Sequence, residues 1–482
     1  MLNKIKAKIL VIPLEVRSAA VYLLSTLLSR GLAIITTPIF TRIMSTDEVG
    51  KVNLFSSWYS MLSVVVTLSL TSGGFAIALK EFEKERDQYV SSILSLTSMI
   101  AIAVSVVYSI APQFWNDITG LSTELTILML VGFLVAPARD FWLSWQRYEY
   151  KYRIPGFITC VSAVVASVLS VVVVLNMTKM GSSKIAEGRL FANYSVVFGV
   201  AAIIWIYILL KGKTIYNTRY WKFSLNLSLP LVGYSIASQI LNTSDRLMIS
   251  KMIGNSAVGI YSTLYTVSSL SLMVWYALNS SFAPYLYQNI GKECHRIKEI
   301  SLSILGLYGV MAVLLVFCAP EIVWILATEE YYEAIYIMPP IAAGVFLISI
   351  ANLYSNILVY LNKTKYIMFS SMVAAVLNIA LNALVIPVLG YMAAAYTTMV
   401  SYIVMAMLLA LNAKKQFNIY NGSLEKVYSN QKIVIMSVTF ILISMSGLLV
   451  YRYIILRYLC ITFIFILGIS LLKKYRHNID AK

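Results

Sequence analysis

Long apolar runs separated by short polar segments recur along the whole chain. An α-helix rises about 1.5 Å per residue and has to cross about 30 Å of hydrocarbon, so roughly 20 apolar residues make one membrane span. The pattern therefore predicts an all-α polytopic membrane protein with about 14 transmembrane helices. The fourteen runs lie near residues 18–40, 53–79, 89–111, 124–145, 154–175, 189–210, 228–250, 257–281, 300–326, 335–361, 366–388, 391–412, 433–451 and 453–472.

The two halves of the chain resemble each other at an offset of about 210 residues. Because six spans is an even number, both halves would enter the membrane in the same sense, as two parallel six-helix repeats followed by a C-terminal helix pair. Two lobes around a central site are typical of alternating access, although a duplication can also be purely structural. The matching stretches, in the same order in each half, are 41–53 with 250–262, 111–115 with 319–324, 151–163 with 363–375, and 188–194 with 390–396.

This repeat predicts the domain organisation. The two six-helix lobes would comprise residues 18–210 and 228–412, and the last two transmembrane helices residues 433–472. The remaining segments are predicted to be cytoplasmic: an N-terminus that also contacts the interface (1–17), a linker (211–227), a loop (413–432) and a tail (473–482).

Composition supports a membrane protein and charge gives its orientation. Of the 482 residues, 59% are hydrophobic and only 12% are charged, against about 25% charged in a soluble protein. With the N-terminus inside, 27 of the 38 Lys and Arg fall on the cytoplasmic side and seven in the outer loops. Both termini are therefore predicted to be cytoplasmic, and the net charge of +17 follows from the positive-inside rule without a nucleic-acid partner.

The sequence contains little that favours an enzyme. The four cysteines have no paired spacing, the two histidines lie in basic polar stretches, and no metal-binding motif occurs. The stretch Gly212–Thr214 resembles the end of a phosphate loop, but Tyr207 stands where such a loop needs its first glycine. We therefore expect no catalytic residue, no cofactor and no metal. The predicted outer loops are also too short for a catalytic domain.

Six charged residues within the predicted spans are candidates for a functional role. Each costs about 2.5–3.5 kcal/mol at the centre of a bilayer, so we expect most of them to face protein or water rather than lipid. Adjacent residues on a helix point about 100° apart, so neither neighbouring Asp–Arg pair can neutralise itself; each charge needs a partner from another helix, water or a ligand. The six are Arg30, Arg139, Asp140, Asp245, Arg246 and Arg457.

Three of these arginines lie at different depths. Arg139 lies roughly 7 Å to the cytoplasmic side of the middle of its span, Arg30 near the middle, and Arg246 roughly 10 Å to the outer side. In one cavity they would form cationic steps for an anionic group such as a pyrophosphate, which Arg binds bidentately. The alternatives are structural: Arg246 with Asp245 could tie helices together, and Arg139 with Asp140 could be buried structural charges.

Two acidic residues and one further arginine complete this set. Asp140 and Asp245 are candidates for ion coupling or for structural charges. We expect Arg457, near the outer end of the last span, to extend its side chain to the membrane surface.

The segment DRLMISKMIGNSAVGIYSTLY (245–265) resembles the polysaccharide flippases of the MOP exporter superfamily, which are MATE-like. Asp245, Arg246, Gly254, Gly259 and Tyr261 carry the resemblance, and the six-plus-six repeat with its extra helix pair extends it over the chain.

The resemblance implies a flippase for undecaprenyl-pyrophosphate-linked oligosaccharides, such as O-antigen (lipopolysaccharide), capsule or exopolysaccharide repeat units, with a cationic central cavity in a bacterial inner membrane. The implied partners are this lipid-linked oligosaccharide, the bilayer, and the polymerase and chain-length regulator that would use the delivered units.

Other functions stay open. A cation-coupled multidrug exporter or a lipid II flippase of the same superfamily fits the architecture, although Arg30 would be a poor neighbour for a cationic drug. A membrane polymerase or ligase would need the large outer loop that the sequence lacks, and a structural scaffold would leave the intramembrane arginines unexplained.

Overall fold

The computed structural model describes residues 14–71, 74–269, 271–420 and 422–480, with the side chains of 16, 230, 420 and 471–480 excluded. Most of the predicted N-terminal interfacial segment (1–17) therefore lies outside the described residues. Within them the chain is helical throughout and contains no β-strand, which confirms the predicted fold class.

Eighteen α-helices and three 3₁₀ segments make up the described part of the chain. The helices are α1 (Leu14–Ile43), α2 (Thr46–Thr67), α3 (Gly74–Glu81), α4 (Arg86–Ile110), α5 (Pro112–Thr119), α6 (Thr123–Tyr148), α7 (Arg153–Lys179), α8 (Ile185–Gly212), α9 (Thr218–Met252), α10 (Asn255–Ser269), α11 (Ser271–Asn289), α12 (Cys294–Phe317), α13 (Ala319–Leu326), α14 (Met338–Tyr360), α15 (Lys365–Leu389), α16 (Ala393–Tyr420), α17 (Asn430–Val450) and α18 (Ile454–Asp480). The 3₁₀ segments are Glu83–Glu85, Glu329–Ile337 and Leu424–Lys426.

Eleven segments of the described chain are long and apolar enough to cross a membrane, and each corresponds to one of the fourteen predicted spans. The other three predicted spans are helical but fall short of that threshold. The span at 228–250 lies in α9, where Asn, Gln, Asp and Arg side chains lower the hydropathy, and the last span has only a short apolar helix, Ile454–Ser470.

The second predicted span, 53–79, is not one continuous helix. Helix α2 ends at Thr67, because Leu68 and Ser69 both adopt left-handed backbone conformations, and α3 begins only at Gly74. The apolar run was continuous in the sequence, but an apolar pattern does not report a break in the backbone.

Two helix starts show how local sequence sets these boundaries. Ser45 accepts a hydrogen bond from the Glu48 N–H, and Glu48 accepts one from the Ser45 N–H, so α2 begins with a complete capping box. At α6 the Ser122 hydroxyl accepts from the Leu125 N–H. Both caps satisfy N–H groups that the first helical turn leaves without partners.

The chain divides into two compact units, residues 1–236 and 237–482. In the first unit α8 is central and packs against α4, α6 and α7, while α1 packs mainly on α7. An aromatic cluster fills the space between α2, α6 and α8: the Tyr59 ring lies 5.4 Å from that of Phe133 and 6.0 Å from that of Phe198.

In the second unit α14 is the central helix, and nearly all of its residues are buried. It packs against α16, α17, α12 and α10. A chain of aromatic rings crosses this core, from Trp275 to Tyr308 (5.4 Å), Phe346 (6.0 Å) and Phe440 (4.0 Å). Such contacts add to the burial of apolar area that holds the helices together.

A short helix with a proline in its first turn lies at an equivalent place in each unit. α5 follows α4 and α13 follows α12; both are eight residues long and both have a proline in the first turn, Pro112 and Pro320. These are the paired stretches 111–115 and 319–324 of the predicted repeat. The repeated sequence therefore specifies a repeated local structure.

Candidate functional site

The predicted substrate-binding arginines of the first unit are on α1 and α6. Arg30 lies near the middle of α1 with its side chain exposed, and no hydrogen bond or ion pair joins it to another described residue. Arg139 is half-buried on α6, and its Nε is buried without a hydrogen-bond partner. Both guanidinium groups therefore have N–H donors that do not bind an acceptor among the described residues.

Asp140 follows Arg139 but does not neutralise it. The Asp140 side chain is exposed, and within the described residues neither it nor Arg139 forms an ion pair. This agrees with the expectation that neighbours about 100° apart on a helix do not face each other. Arg30 and Arg139 likewise share no hydrogen bond, so the structure does not join them into one cluster.

In the second unit, Asp245 is at the centre of a buried polar network. Only 2% of its surface is exposed. Its Oδ2 accepts hydrogen bonds from the Tyr261 and Thr398 hydroxyls, both at 2.7 Å, and its Oδ1 accepts from the Asn382 amide at 2.8 Å. The donors come from α10, α16 and α15, so the carboxylate of α9 connects four helices.

The donors to Asp245 are themselves held by other side chains. The Asn382 carbonyl accepts from the Thr397 hydroxyl, and the Asn378 carbonyl accepts from Ser244 at 2.7 Å and from Asn382 at 3.2 Å. The Asn378 amide donates to the Thr398 hydroxyl at 3.1 Å. A network satisfied in this way fixes both the carboxylate and the helices that surround it.

Arg246 has contacts of a different kind. One guanidinium N–H donates to the Asn242 carbonyl at 3.1 Å, and the group lies over the Tyr265 ring at 4.6 Å from its centroid. Its Nε is buried without a hydrogen-bond partner. Arg246 therefore has no carboxylate among its hydrogen-bonding partners in the described chain, whereas Asp245 accepts only from uncharged donors.

Sequence reasoning missed most of this network. It identified Asp245, and it used Tyr261 only as part of a family resemblance. It did not identify Asn378, Asn382 and Thr398. The signal that could have found them is the pair of asparagines four residues apart on α15, which share one face of an otherwise apolar helix.

The network consists of carboxylate, amide and hydroxyl oxygens, the ligand types that hard cations prefer. It could exchange hydrogen bonds for a bound cation, or it could simply hold the carboxylate in place. In the described part of the chain no group of three or more His, Cys, Asp or Glu residues could hold a metal ion.

The expectation for Arg457 was wrong. Instead of extending to the membrane surface, its side chain is buried at 4% exposure and forms an ion pair with Glu321 of α13. Tyr458 also donates a hydrogen bond to Glu321, at 2.9 Å. The Glu321 carboxylate, more than 130 residues earlier in the sequence, binds Arg457 in place of the lipid head groups. The position of Arg457 in its span could not reveal this pairing.

Comparison with known proteins agrees with this architecture. The family model for polysaccharide biosynthesis proteins matches residues 16–290, more than half of the chain, and the MatE family model matches residues 230–384. No curated protein matches the sequence significantly.

Several solved structures share the fold. The lipid II flippase MurJ in an inward closed conformation aligns with a TM-score of 0.64 at 14% identity, covering 95% of this chain and 99% of that one. A multidrug resistance MATE family transporter of the MOP superfamily, inward-facing, aligns at 0.61 and 12% identity, covering 81% and 95%. A MOP superfamily transporter from Pyrococcus furiosus aligns at 0.53 and 13% identity, covering 83% and 96%.

The helices and these alignments together define a multi-pass membrane protein with the transporter fold of the MOP superfamily. Within it, the chain belongs to the polysaccharide biosynthesis protein family.

Proposed function

We propose that this protein is a flippase that moves undecaprenyl-pyrophosphate-linked oligosaccharide repeat units, such as O-antigen, capsule or exopolysaccharide units, from the cytoplasmic to the outer leaflet of a bacterial inner membrane. Membership of the polysaccharide biosynthesis protein family is the observation that carries the proposal. Alternating access of two lobes would deliver the head group while the polyprenyl tail stays in lipid. A polymerase and a chain-length regulator would then receive the units.

The intramembrane arginines support an anionic substrate. Arg30 and Arg139 have guanidinium groups that no described carboxylate neutralises, and Arg246 has only a backbone carbonyl and an aromatic ring. A buried or membrane-embedded cation of this kind is costly unless it acquires a counter-charge. A pyrophosphate could supply that charge bidentately, first to Arg139, then to Arg30 and finally to Arg246 as the head group crosses.

Ion coupling, if it drives the cycle, is assigned in this proposal to Asp245 rather than to Asp140. Asp245 accepts hydrogen bonds from two hydroxyl groups and one amide N–H on three other helices, so binding a cation there would change the contacts of all four helices. Asp140 is exposed and lacks a comparable shell.

Deletion of the gene tests the proposal. Loss of a flippase should make lipid-linked repeat units accumulate on the cytoplasmic face, with unpolymerised units absent from the outer face. Delivery of normal amounts to the outer face, with only polymerisation lost, would contradict it and favour a polymerase or ligase. Accumulation of lipid II instead would favour a lipid II flippase, the function that the MurJ alignment raises.

Substitution of Arg30 tests the path. Arg30→Ala should abolish rescue of the deletion strain at normal membrane abundance, and Arg30→Lys should rescue partly, because Lys keeps the charge but not the bidentate geometry. Arg452→Ala is the matched control, since Arg452 is exposed and lies in a predicted outer loop. Full rescue by Arg30→Ala would remove Arg30 from the path. If the wild type and all of these variants exported cationic drugs, a multidrug exporter would be favoured.

A further inference from the structure

A cavity of about 1040 Å³ opens in the first unit, away from the residues discussed so far. The end of α6, the start of α7, the end of α8 and the segment before α4 form its walls. All four regions are at the membrane side that the charge distribution predicts to be cytoplasmic. The cavity therefore lies where lipid head groups of the inner leaflet would be.

Closely packed helices border the cavity where Asp87 and Gly212 line it. A Cβ atom on Gly212 would lie 2.2 Å from the Asp87 carbonyl oxygen, so only glycine allows α8 to approach α4 this closely. The Ser91 hydroxyl donates to the Thr214 carbonyl at 3.0 Å and ties the following turn to the same helix. Lys213, between these two anchors, has a left-handed backbone and its side chain is exposed.

The lining residues carry one more positive than negative charge. Most of them are paired: Asp87 with Lys211 at 2.9 Å, Glu149 with Lys151 at 2.5 Å and with Arg86 at 3.4 Å, and Glu83 with Arg86 at 3.3 Å. Glu85 accepts a hydrogen bond from the Tyr220 hydroxyl and has no ion pair among the described residues. Lys84 and Lys213 also line the cavity, and within the described residues neither has an ion pair. With Glu85 counted, these two exposed lysines leave one net positive charge, which suits a ligand that carries a single negative charge.

The Glu149 carboxylate remains ionised at neutral pH. Burial by itself would raise its pKa, but hydrogen bonds from Lys151 and Trp145 and the positive charges of Lys151 and Arg86 together lower it. The ion pairs of Glu149 with Lys151 and Arg86 therefore persist at neutral pH.

Apolar side chains stand beside these charges. Ile154 and Ile203 line the cavity and are 66% and 70% exposed. The aromatic rings of Trp145 and Tyr207, at the helix ends, lie 5.3 and 5.8 Å from the Lys211 ammonium. A ligand that fits this surface has an anionic head and aliphatic chains, and a soluble phosphate would make no use of the isoleucines.

We propose that this cavity binds an anionic glycerophospholipid of the inner leaflet, with its phosphodiester near Lys84 and Lys213 and its acyl chains against Ile154 and Ile203. Basic pockets between transmembrane helices on the cytoplasmic side are suited to such head groups. The site would set the lipid environment of the first lobe. It is independent of the flippase proposal, because no residue assigned to the substrate path takes part.

Native mass spectrometry of the purified full-length protein tests the site. Titration with phosphatidylglycerol should give a tightly bound lipid, and phosphatidylcholine with the same acyl chains should bind at least several-fold more weakly. The double variant Lys84→Ala/Lys213→Ala should bind phosphatidylglycerol roughly thirtyfold more weakly, since each lysine near a phosphate contributes about a factor of five. The control is Lys414→Ala/Lys415→Ala, two exposed lysines at the end of α16.

Three results would overturn the proposal: equal phosphatidylglycerol binding by the double variant and the wild type, an equal loss in the control variant, or no preference over phosphatidylcholine. Glycerophosphoglycerol, the head group without acyl chains, should not displace the lipid at millimolar concentration; displacement would make the site one for soluble phosphates. The variant Lys84→Arg/Lys213→Arg keeps both positive charges and should bind phosphatidylglycerol as the wild type does. Its binding therefore shows whether the loss in the alanine variant comes from the missing charge or from misfolding.

Discussion

Asp245 is buried inside the protein without a cationic hydrogen-bond donor. Each of its three hydrogen bonds comes from a neutral side chain, Tyr261, Asn382 or Thr398. A hydrogen bond contributes about 0.5–1.5 kcal/mol to stability, and a buried donor left without a partner costs about 1–3 kcal/mol. The carboxylate and its donors therefore stabilise the second unit as a group.

Removal of this carboxylate should destabilise the protein. Asp245→Ala leaves three buried donors unpartnered, and we expect a loss of about 3 kcal/mol or more in the free energy of unfolding. Asp245→Asn should cost less, because its amide oxygen still accepts. Thermal unfolding of the purified protein in detergent measures both variants, with Asp117→Ala on α5, where the side chain is exposed, as the control. Equal melting temperatures for Asp245→Ala and the control would contradict the structural role.

Glu149 gives a second prediction, on pH dependence. Its pKa is lowered in the folded protein, so its contribution to stability is present above the pKa of the unfolded chain, near 4.3, and is lost as the pH falls through the lower folded value. We expect Glu149→Gln to lower the melting temperature at pH 7, and the difference from the wild type to shrink as the pH falls below about 4.3. Melting curves from pH 7 to 3.5 measure this difference. A gap that widened on acidification would contradict it.

At the residue scale, prediction from sequence succeeded where the chemistry was local. The angle between neighbours on a helix correctly implied that Asp245 and Arg246 need separate partners. It could not identify those partners, because Asn382 and Thr398 are brought to Asp245 by the packing of α15 and α16. The same limit explains Arg457, whose carboxylate partner Glu321 is distant in sequence.

At the scale of elements, glycine decides how closely α6 and α8 can pack. A Cβ atom on Gly132 would lie 2.3 Å from the Phe198 ring and 2.8 Å from the Tyr59 ring. Small residues at such positions let membrane helices approach each other. The contact is part of the aromatic cluster that holds the first unit together.

Gly132→Ala should therefore lower stability by about 1–3 kcal/mol, since the added methyl group forces the two rings to move. Gly199 on α8 is a matched control, because no atom lies within 4 Å of a Cβ placed there. Gly199→Ala should be neutral or stabilise by up to about 1 kcal/mol through helix propensity. Thermal unfolding of the two variants compares them, and a larger loss for Gly199→Ala would refute this account of the packing.

The apolar pattern predicted elements well and their interruptions poorly. Each of the fourteen predicted spans contains helical residues, because hydropathy indicates which segments can lie in a membrane. The pattern did not show that the second span breaks at Leu68, where a backbone turn interrupts residues that remain apolar. The pattern also predicted α9 as a span like the more apolar helices, although α9 forms polar contacts to other helices.

At the scale of the whole molecule, composition and internal repetition predicted the class and the fold, since both average over many residues. Family membership and the alignments with solved transporters confirm them. Orientation in the membrane stays a prediction from the distribution of Lys and Arg. It can be measured directly.

Cysteine labelling should establish the orientation. In a background with the four native cysteines replaced, Lys179→Cys at the end of α7 should react with a membrane-impermeant maleimide on intact cells. Lys414→Cys at the end of α16 should react only after permeabilisation. Both positions are exposed, so the contrast reports sidedness rather than burial. The reverse pattern would invert the topology and with it the proposed direction of transport.

The polar network around Asp245 has a consequence for biogenesis. Its partner Thr398 is synthesised 153 residues later, a delay of roughly 8–30 s at ordinary rates of translation. Through that interval α9, the least apolar of the long helices that carry a predicted span, has to hold a carboxylate without its final hydrogen bonds. The hydrogen-bond shell of Asp245 is therefore complete only after α15 and α16 have been synthesised.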